Sequence, residues 1–564
     1  MTALWAAALL APLLLAGALV PRVTRGAAVA LAPLACLPAG VLVAAGPPAL
    51  SVPWLFLGVE LELDTVSRPL LAVTALLYAV ALAAARAERS GDPRLPAFLG
   101  VFLVACTGNF ALLAAADAVT FYVGFAVMSL ASYGLVVHSR TDRALRAGRV
   151  YLGMALVGEV LLLSGLLVAV ADAGGPELPA VRQALGEPGN LPAAALVVSG
   201  LAVKAGTFPL HAWLPVAHPA APVPASAVLS GAMVKAGLVG WLHLLPIGAV
   251  ALPELGSALV AAGLVGIFGA VVVGLVQAEA KVQLAYSTVS QMGYLAVTVG
   301  AGLREPAVGA AAVAVAVVYA AAHGTAKAAL FLSVPVVKAA SQGRRRGLAL
   351  GGVALAGLAL AGLPPLNGFV AKYGLKELAD AAAVPEVVLS VGAVGTLLLL
   401  GRFWTTLAAE PTVPARWTVL ESGWLLLLIT GPVLVWALAA DAPPATPGTT
   451  LAALWAGTWP VLLGLALVAL GRSGSGRRWS SRAPRVPAGD LVVVYEPAAA
   501  GALRVLDVAG RLPGQLVQSS VAVAHAVAAR LPADAVEVLR LARWRAVGSL
   551  ALTVLVVLAG VLLA

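Results

Sequence analysis

The sequence predicts an all-α polytopic membrane protein, and its composition and the length of its apolar runs carry that prediction. Of its 564 residues, 61% are hydrophobic and only 11% are charged, and the mean hydropathy is +1.00. Apolar runs of about 17–25 residues recur along the chain, and a helix of that length crosses a bilayer. The short alternating segments of a membrane β-barrel are not seen in the sequence. We therefore expect helical spans.

The apolar runs predict about sixteen spans. They lie near residues 2–20, 27–46, 69–85, 97–115, 118–137, 150–171, 191–212, 223–245, 254–276, 284–302, 307–337, 348–372, 387–408, 423–440, 450–470 and 546–563. The first basic residues, Arg22 and Arg25, follow the first run rather than precede it. That order favours an uncleaved helix over a signal peptide.

Basic residues alternate between the predicted loops. Odd-numbered loops hold most of them, including Arg140, Arg143 and the run 344–346, whereas even-numbered loops hold few. Because Lys and Arg concentrate in cytoplasmic loops, we predict a multi-pass protein of the cell (inner) membrane with both termini extracytoplasmic. The net charge of +10 then reflects topology and lipid contact rather than nucleic-acid binding.

Four lysines fall inside predicted spans: Lys204, Lys235, Lys327 and Lys372. An ammonium at the centre of a spanning helix costs about 2.5–3.5 kcal/mol, so four cost on the order of 10–14 kcal/mol. That sum is comparable with the stability of a whole domain. Ion transport is the natural use of such groups, and a structural or snorkelling role is the alternative, strongest for Lys372 near its span end.

Other polar residues accompany the lysines. Glu159 is the one acidic residue well inside a predicted span, and we expect it to be the counter-charge of Lys204. His323 and Lys327 are four residues apart, so they share a helix face and can form a short proton relay.

The remaining polar candidates are weaker. His211 shares a face with Lys204 and follows Pro209, and His218 is a further candidate, whereas a packing role is predicted for His243. The run 286–291, which includes Ser290, would either line a wet cavity or cap a span at the interface.

A short pattern, A-G-x-x-P-L-x-x-aromatic, occurs twice, at 205–213 and at 361–369. Its prolines, Pro209, Pro364 and Pro365, predict breaks in spans seven and twelve. The copies are offset by five spans, and because this number is odd the second copy is inverted, which is typical of transport sites. The predicted organisation is 1–115 for the first four spans, 97–246 and 253–408 for two inverted repeats, 423–470 for two spans, 471–545 for a cytoplasmic linker with a lateral amphipathic helix, and 546–564 for the last span.

Two features bear on cofactors and partners. Cys36 and Cys106 lie in different spans, and no metal-binding or dinucleotide-binding motif occurs, so no cofactor or metal is expected in this chain. The lateral helix, interrupted at Pro513 and Pro532, either straps neighbouring subunits or lies on lipid without a partner.

The segments 200–215, 217–219, 222–227, 286–294, 323–332 and 362–369 resemble the antiporter-like proton-channel subunits. These occur in respiratory complex I, Mrp-type Na⁺/H⁺ antiporters and group 4 membrane-bound hydrogenases, and the similarity runs from about Leu61 to Ala408. The number of spans and the lateral helix resemble the complex I subunit-5-like branch.

The resemblance implies two inverted five-helix half-channels. It assigns Lys204 and Lys235 to the first, Lys327 with His323 to a central link, and Lys372 to the second. The chain departs from the family pattern in the fifth predicted span, where the family usually has Trp-Glu and this chain has Phe125-Ala126. Either Glu159 replaces the missing glutamate, or the first half-channel is altered or inactive.

We therefore expect a membrane subunit that conducts protons, or exchanges them for a cation such as Na⁺, within a multisubunit assembly. Redox chemistry would reside on other chains. The alternatives are a subunit of a bicarbonate-accumulating complex and a largely structural subunit that has lost pumping.

Overall fold

The structure is a computed structural model that describes residues 2–55, 58–340, 343–412, 419–440, 450–472, 486–489 and 491–492. Within these ranges, eleven helical stretches are long and apolar enough to cross a membrane. The predicted class, an all-helical polytopic membrane protein, is confirmed. The count of sixteen spans stays a prediction, and the lateral helix and the last span lie outside the described residues.

The chain begins with a helical hairpin. Its elements are α1 (Thr2–Ala18), α2 (Arg22–Leu31) and α3 (Leu37–Ala45), with a 3₁₀ turn at Ala32–Cys36 joining α2 to α3. An antiparallel pair of short strands follows, β1 (Leu50–Val52) and β2 (Val59–Leu61), with Leu50 opposite Leu61. These strands lie between spans and were not predicted.

The next group of helices carries the first candidate residues. It comprises α4 (Ser67–Glu88), α5 (Leu95–Ala114), α6 (Ala118–Val136), α7 (Asp142–Ala173), α8 (Leu178–Leu185), α9 (Leu191–Ala205), α10 (Trp213–Ala220), α11 (Val223–Val228) and α12 (Lys235–Leu244). Side-chain caps set two of the starts, because Asp117 accepts from the N–H of Thr120 and Thr141 from that of Ala144. A π-helical turn, Leu229–Met233, joins α11 to α12.

The second group of helices carries the remaining candidate residues. It comprises α13 (Pro253–Leu275), α14 (Ala280–Arg304), α15 (Gly309–Ala339), α16 (Arg344–Ala361), α17 (Asn367–Lys376), α18 (Ala379–Ala382), α19 (Glu386–Ala408), α20 (Val419–Ala440) and α21 (Leu451–Gly471). Helix α14 is buried along almost its whole length although it carries many polar residues. It is not among the eleven apolar stretches, and it packs against α13, α15 and α19 in the interior of the bundle.

The order of the helices places their connections on two opposite faces. We call the face that holds connections 89–94 and 137–141 the arginine-rich face, and the face that holds 46–66, 115–117 and 174–190 the arginine-poor face. Backbone bridges pair Leu61 with Ala115 and Asp117 with Glu177, so connections of the arginine-poor face meet one another. The assignment of this face to the extracytoplasmic side stays a prediction from the charge pattern.

Candidate proton pathway

The chain leaves helical geometry at both predicted breaks. Helix α9 ends at Ala205, Gly206 adopts a left-handed φ of 67°, and helix resumes at Trp213. The indole of Trp213 donates to the carbonyl of Val203 at 2.7 Å. A carbonyl near the break is thus satisfied by protein, which an irregular segment at membrane depth requires.

The second break repeats this arrangement. Helix α16 ends at Ala361, Gly362 has a φ of 98°, and α17 begins at Asn367. The indole of Trp436 donates to the carbonyl of Pro365 at 2.7 Å. Lys204 lies on the last turn before the first break and Lys372 on the second turn after the second, so each sits beside irregular backbone.

Close contact between α7 and α9 brings Glu159 near Lys204. A Cβ added at Gly200 would lie 2.6 Å from the amide nitrogen of Leu162 and 2.7 Å from the carbonyl oxygen of Gly158. Only glycine allows the two backbones to approach this closely. Glu159 follows Gly158 directly, and Lys204 is one turn after Gly200.

The ammonium of Lys204 is held by two hydroxyl groups. Its Nζ donates to Ser129 Oγ at 3.0 Å and to the hydroxyl of Tyr151 at 3.1 Å. The Tyr151 hydroxyl in turn donates to the Ser129 carbonyl at 2.8 Å. The rings of Tyr151 and Trp213 lie 5.5 and 5.9 Å from Nζ, within the range of cation–π attraction.

Glu159, the predicted counter-charge of Lys204, is not in direct contact with the amine within the described residues. Both side chains are buried, at 5% and 4% exposure. Glu159 interacts electrostatically with Lys204 and with the Ser129 hydroxyl, yet among the described residues neither carboxylate oxygen has a hydrogen bond of good geometry. Ser129 lies one helical turn after Ala126, so a hydroxyl contacts the lysine where the resemblance leads one to expect a carboxylate.

The second lysine, Lys235, contacts the histidine that was predicted to serve Lys327. Its Nζ lies 2.8 Å from Nδ1 of His323 and donates to the Ser230 carbonyl at 2.6 Å. That carbonyl lies in the π-helical turn, a feature that occurs frequently at functional sites. His323 therefore joins α12 to α15.

Hydroxyl groups connect Lys235 with Lys327. Ser230 Oγ lies 2.7 Å from Thr288 Oγ1, and Thr288 donates to the Leu284 carbonyl at 3.1 Å. The same carbonyl accepts from Lys327 Nζ at 2.6 Å. Polar groups on α14 thus bridge two buried amines.

Lys372 lies at the end of this series. Its Nζ is 3.9 Å from the centroid of the Tyr294 ring and 5.9 Å from that of Tyr319, and it makes no hydrogen bond within the described residues. Tyr319, one turn before His323 on α15, donates to Gln291 at 2.9 Å. Tyr319 therefore lies between the central histidine and the last lysine.

Three of the four lysines line separate cavities. The cavity at Lys204 has a volume of about 10 Å³, that at Lys235 about 10 Å³ and that at Lys372 about 20 Å³. Each is near the volume that one water molecule needs. All four amines are enclosed by protein rather than exposed to lipid, since none of the four residues is more than 7% exposed.

The supporting residues divide into two groups. His218 stacks on Phe331 at 4.7 Å, and Lys327 Nζ lies 5.4 Å from the same ring, so this histidine joins the central lysine. His211 lies inside the first break, between Phe208 and Tyr286. Ser290 instead donates to the Ile267 carbonyl at 3.0 Å and ties α14 to α13, away from the lysines.

Sequence reasoning did not identify Ser129, Tyr151 or Ser230 as partners of the lysines. Ser129 could have been inferred from the sequence, because its hydroxyl lies one helical turn from Ala126, where the resembling family usually has glutamate. No local sequence pattern indicates Tyr151. Within the described ranges, no cluster of His, Cys, Asp or Glu could hold a metal ion.

Comparisons with known proteins identify the family and the fold of this chain. Residues 115–398 match the family model described as NADH:quinone oxidoreductase/Mrp antiporter, transmembrane. NADH-quinone oxidoreductase subunit N 1 of Streptomyces griseus is 30% identical over 72% of this chain and 88% of its own length. Hydrogenase-4 component B of Escherichia coli is 29% identical over 62% of this chain, which spans only 55% of that protein.

Two solved structures share the fold. The Mrp complex from Dietzia sp. DQ12-45-1b contains a chain that aligns with a TM-score of 0.71 at 23% identity, covering 93% of this chain and 63% of that one. A chain of the archaeal membrane-bound sulfane sulfur reductase aligns with a TM-score of 0.68 at 21% identity, covering 86% of each. With the matching family model and the Streptomyces relative, these findings show that the chain belongs to the NADH:quinone oxidoreductase/Mrp antiporter family of transmembrane subunits.

Proposed function

We propose that this chain is the proton-translocating, or cation/proton-antiporting, membrane subunit of a multisubunit assembly of the complex I, hydrogenase or Mrp type. Protons would pass along Glu159, Lys204, Lys235, His323, Lys327 and Lys372. Other chains of the assembly would hold the redox cofactors. The observation that carries the proposal is the series of buried amines joined or separated by short polar contacts, three of them beside water-sized cavities.

The hydrogen bonds to Lys204 are similar in strength to the free energy needed to move a proton across the membrane. Moving a proton against roughly 150–200 mV costs about 3.5–4.6 kcal/mol. A hydrogen bond to a charged group contributes about 1.5–3 kcal/mol, so the two hydroxyls on Lys204 together contribute about 3–6 kcal/mol on the same basis. Making and breaking these two bonds would therefore change the proton affinity of the amine by an amount comparable with that cost, and the coupled reaction would supply the energy.

A specific observation supports a second candidate, a structural subunit with an impaired first half-channel. Lys204 has no carboxylate within ion-pair distance in the described part of the chain, and Ala126 stands where the resembling family usually has glutamate. In that case Lys204 would be held permanently by Ser129 and Tyr151. Only Lys235, Lys327 and Lys372 would then titrate.

The test uses inverted membrane vesicles that contain the whole assembly, with formation of a pH gradient followed by a fluorescent dye. Lys204→Ala and Glu159→Gln should each slow proton translocation while the amount of assembled complex stays the same. Lys338→Ala is the matched control, because Lys338 is half-exposed at the end of α15 and pairs with Glu410.

Each outcome separates the candidates. Normal rates for Lys204→Ala and Glu159→Gln, together with loss of transport in Lys235→Ala, would leave the first half-channel inactive and support the second candidate. Normal rates in all three variants would refute proton translocation by this chain.

A further inference from the structure

A carboxylate and a histidine meet on the arginine-poor face, at the end of the helix that carries Lys235. His243 lies two turns beyond Lys235 on α12 and is 3% exposed, and its Nε2 is 3.2 Å from Oδ2 of Asp64, whose side chain is 42% exposed. Both ring nitrogens are buried, and neither makes a hydrogen bond of good geometry among the described residues, so Nε2 is close to the carboxylate without being aligned with it. A packing role was predicted for His243, and it does not account for this pairing.

The two carboxylate oxygens of Asp64 make different contacts. Oδ1 accepts from the backbone N–H groups of Val66 and Ser67 and from the Ser67 hydroxyl, at 2.7–3.0 Å, and so caps α4. Oδ2 is left to face the imidazole. Although burial opposes ionisation, the nearby imidazole of His243 and the hydrogen bonds from Ser67 lower the pKa of Asp64 below its usual range, so this group is a carboxylate at neutral pH.

The cavity at Lys235 extends toward this pair. Besides Lys235 it is lined by Thr74 and Asn109 at the depth of the amine. It is also lined by residues nearer the arginine-poor face, which are Leu70 on α4, Leu113 on α5 and Val239 on α12. Val239 is one turn beyond Lys235, and His243 follows one turn later. By helix geometry the amine-bearing residue and the histidine are separated by about 12 Å along α12.

Two basic residues, Arg182 and Lys235, affect the charge around the His243–Asp64 pair. From α8, Arg182 donates to the His243 carbonyl at 2.9 Å and attracts Asp64. Burial lowers the pKa of Arg182, but a guanidinium remains charged at any pH relevant here. On its own helix, the nearest charged group to His243 is Lys235. Among these groups, only the imidazole of His243 has one ring nitrogen that can accept a proton while the other donates one.

We propose that His243 and Asp64 form the site at which protons that reach Lys235 are released to the arginine-poor face. The inference rests on the proposed function, because it needs protons to reach Lys235. It assigns a role in proton transfer to two residues outside the series of lysines.

The transfer conserves protons and forms no other bond. A proton leaves Nζ of Lys235, which becomes a neutral amine, and passes to water in the cavity, whose lining reaches Val239, one turn before His243. It binds Nδ1 of His243, and the imidazolium is stabilised by the Asp64 carboxylate. The proton on Nε2 then leaves through Asp64 Oδ2 to bulk water, and the ring is left as the neutral tautomer protonated on Nδ1. Rotation of the ring or proton exchange through water restores the Nε2–H tautomer before the next transfer. The half-exposed carboxylate links the buried ring to solvent.

The experiment uses the whole assembly in liposomes, with the pH on each side set independently and proton release measured by an impermeant dye. His243→Gln removes the titrating group, and His243→Arg keeps a positive charge opposite Asp64 but does not release a proton at these pH values. Asp64→Asn retains a side chain that caps α4 but removes the carboxylate. Lys235→Ala reports on the proposed function itself.

We expect His243→Gln and His243→Arg to slow release about 10-fold or more, in line with the loss of a positioned proton-transfer group. Both should also abolish the dependence of the rate on pH between 5 and 8 at the arginine-poor face, and Asp64→Asn should shift that dependence. A structural tie alone would leave His243→Arg with the rate and pH profile of the wild type, and that result would overturn the inference. If Lys235→Ala is impaired while both His243 variants are normal, the proposed function stands and the release site is wrong. If Lys235→Ala is also normal, the proposed function fails.

Discussion

Removing the Ser129 hydroxyl is the sharpest test of how Lys204 works. Ser129→Ala takes one of two neutral hydrogen-bond partners from a buried ammonium and leaves the helix and the Tyr151 contact in place. A hydrogen bond to a charged group is worth about 1.5–3 kcal/mol. If the bond forms only in the conducting state, its loss slows that step by about 10- to 150-fold.

The assay is the initial rate of pH-gradient formation in inverted vesicles, normalised to the amount of assembled complex. Tyr151→Phe removes the other hydroxyl and should have an effect of similar size. The double variant should cost less than the sum of the two single variants, because both groups act on one amine. Ser90→Ala is the matched control, since that hydroxyl is exposed and bonds only to a nearby backbone carbonyl.

The reasoning would be refuted by wild-type rates in Ser129→Ala and Tyr151→Phe alongside a strong defect in Lys204→Ala. Lys204 would then act without its hydroxyl partners. A loss of assembled complex in Ser129→Ala would instead point to a purely structural contact, and the normalised rate separates that outcome from a defect in transport.

Three further predictions concern other parts of the bundle. Ala126→Glu should leave the rate of proton transport unchanged or lower it, because the amine of Lys204 already has a hydrogen-bond partner in Ser129. A higher initial rate in the same vesicles would show that the first half-channel of the wild type is impaired. Gly200→Ala should lower thermal stability by about 1–3 kcal/mol through overpacking against α7, whereas Gly153→Ala, with open space around it, should leave the melting temperature unchanged or raise it. Burial lowers the pKa of His138 on the arginine-rich face, so its contribution to stability is complete above pH 6.5 and is lost as the pH falls. Thermal melts between pH 7 and 5 should therefore show a fall in melting temperature that is smaller in His138→Gln than in the wild type. An equal fall in both proteins would contradict this role of His138.

The sequence alone identifies most of the candidate pathway because the signals are local. A lysine within an apolar run is visible without a fold, and so is a proline pattern that interrupts helix. Both breaks occur where the repeated pattern predicts them, at Gly206 and Gly362. The polar helix α14 was predicted from its length despite its serine, threonine and glutamine residues.

The partners of those lysines depend on how helices pack, which no local pattern records. Glu159 was predicted to be the counter-charge of Lys204 and does interact with it electrostatically, but the packing of α6, α7 and α9 places two hydroxyls, not the carboxylate, in direct contact with the amine. Likewise His323, predicted from its spacing to serve Lys327, contacts Lys235 on another helix.

What the sequence by itself determined, then, is that this chain spans a membrane, carries buried amines and has two interrupted helices, because each follows from hydropathy, charge cost or proline geometry over a few residues. Only the tertiary structure decided which groups stabilise each charge. The meeting of Asp64 with His243 shows why, since these residues lie far apart in the chain and come together only when α12 packs beside the start of α4. A charge in a medium of low dielectric constant responds to its immediate neighbours, and the fold sets those neighbours.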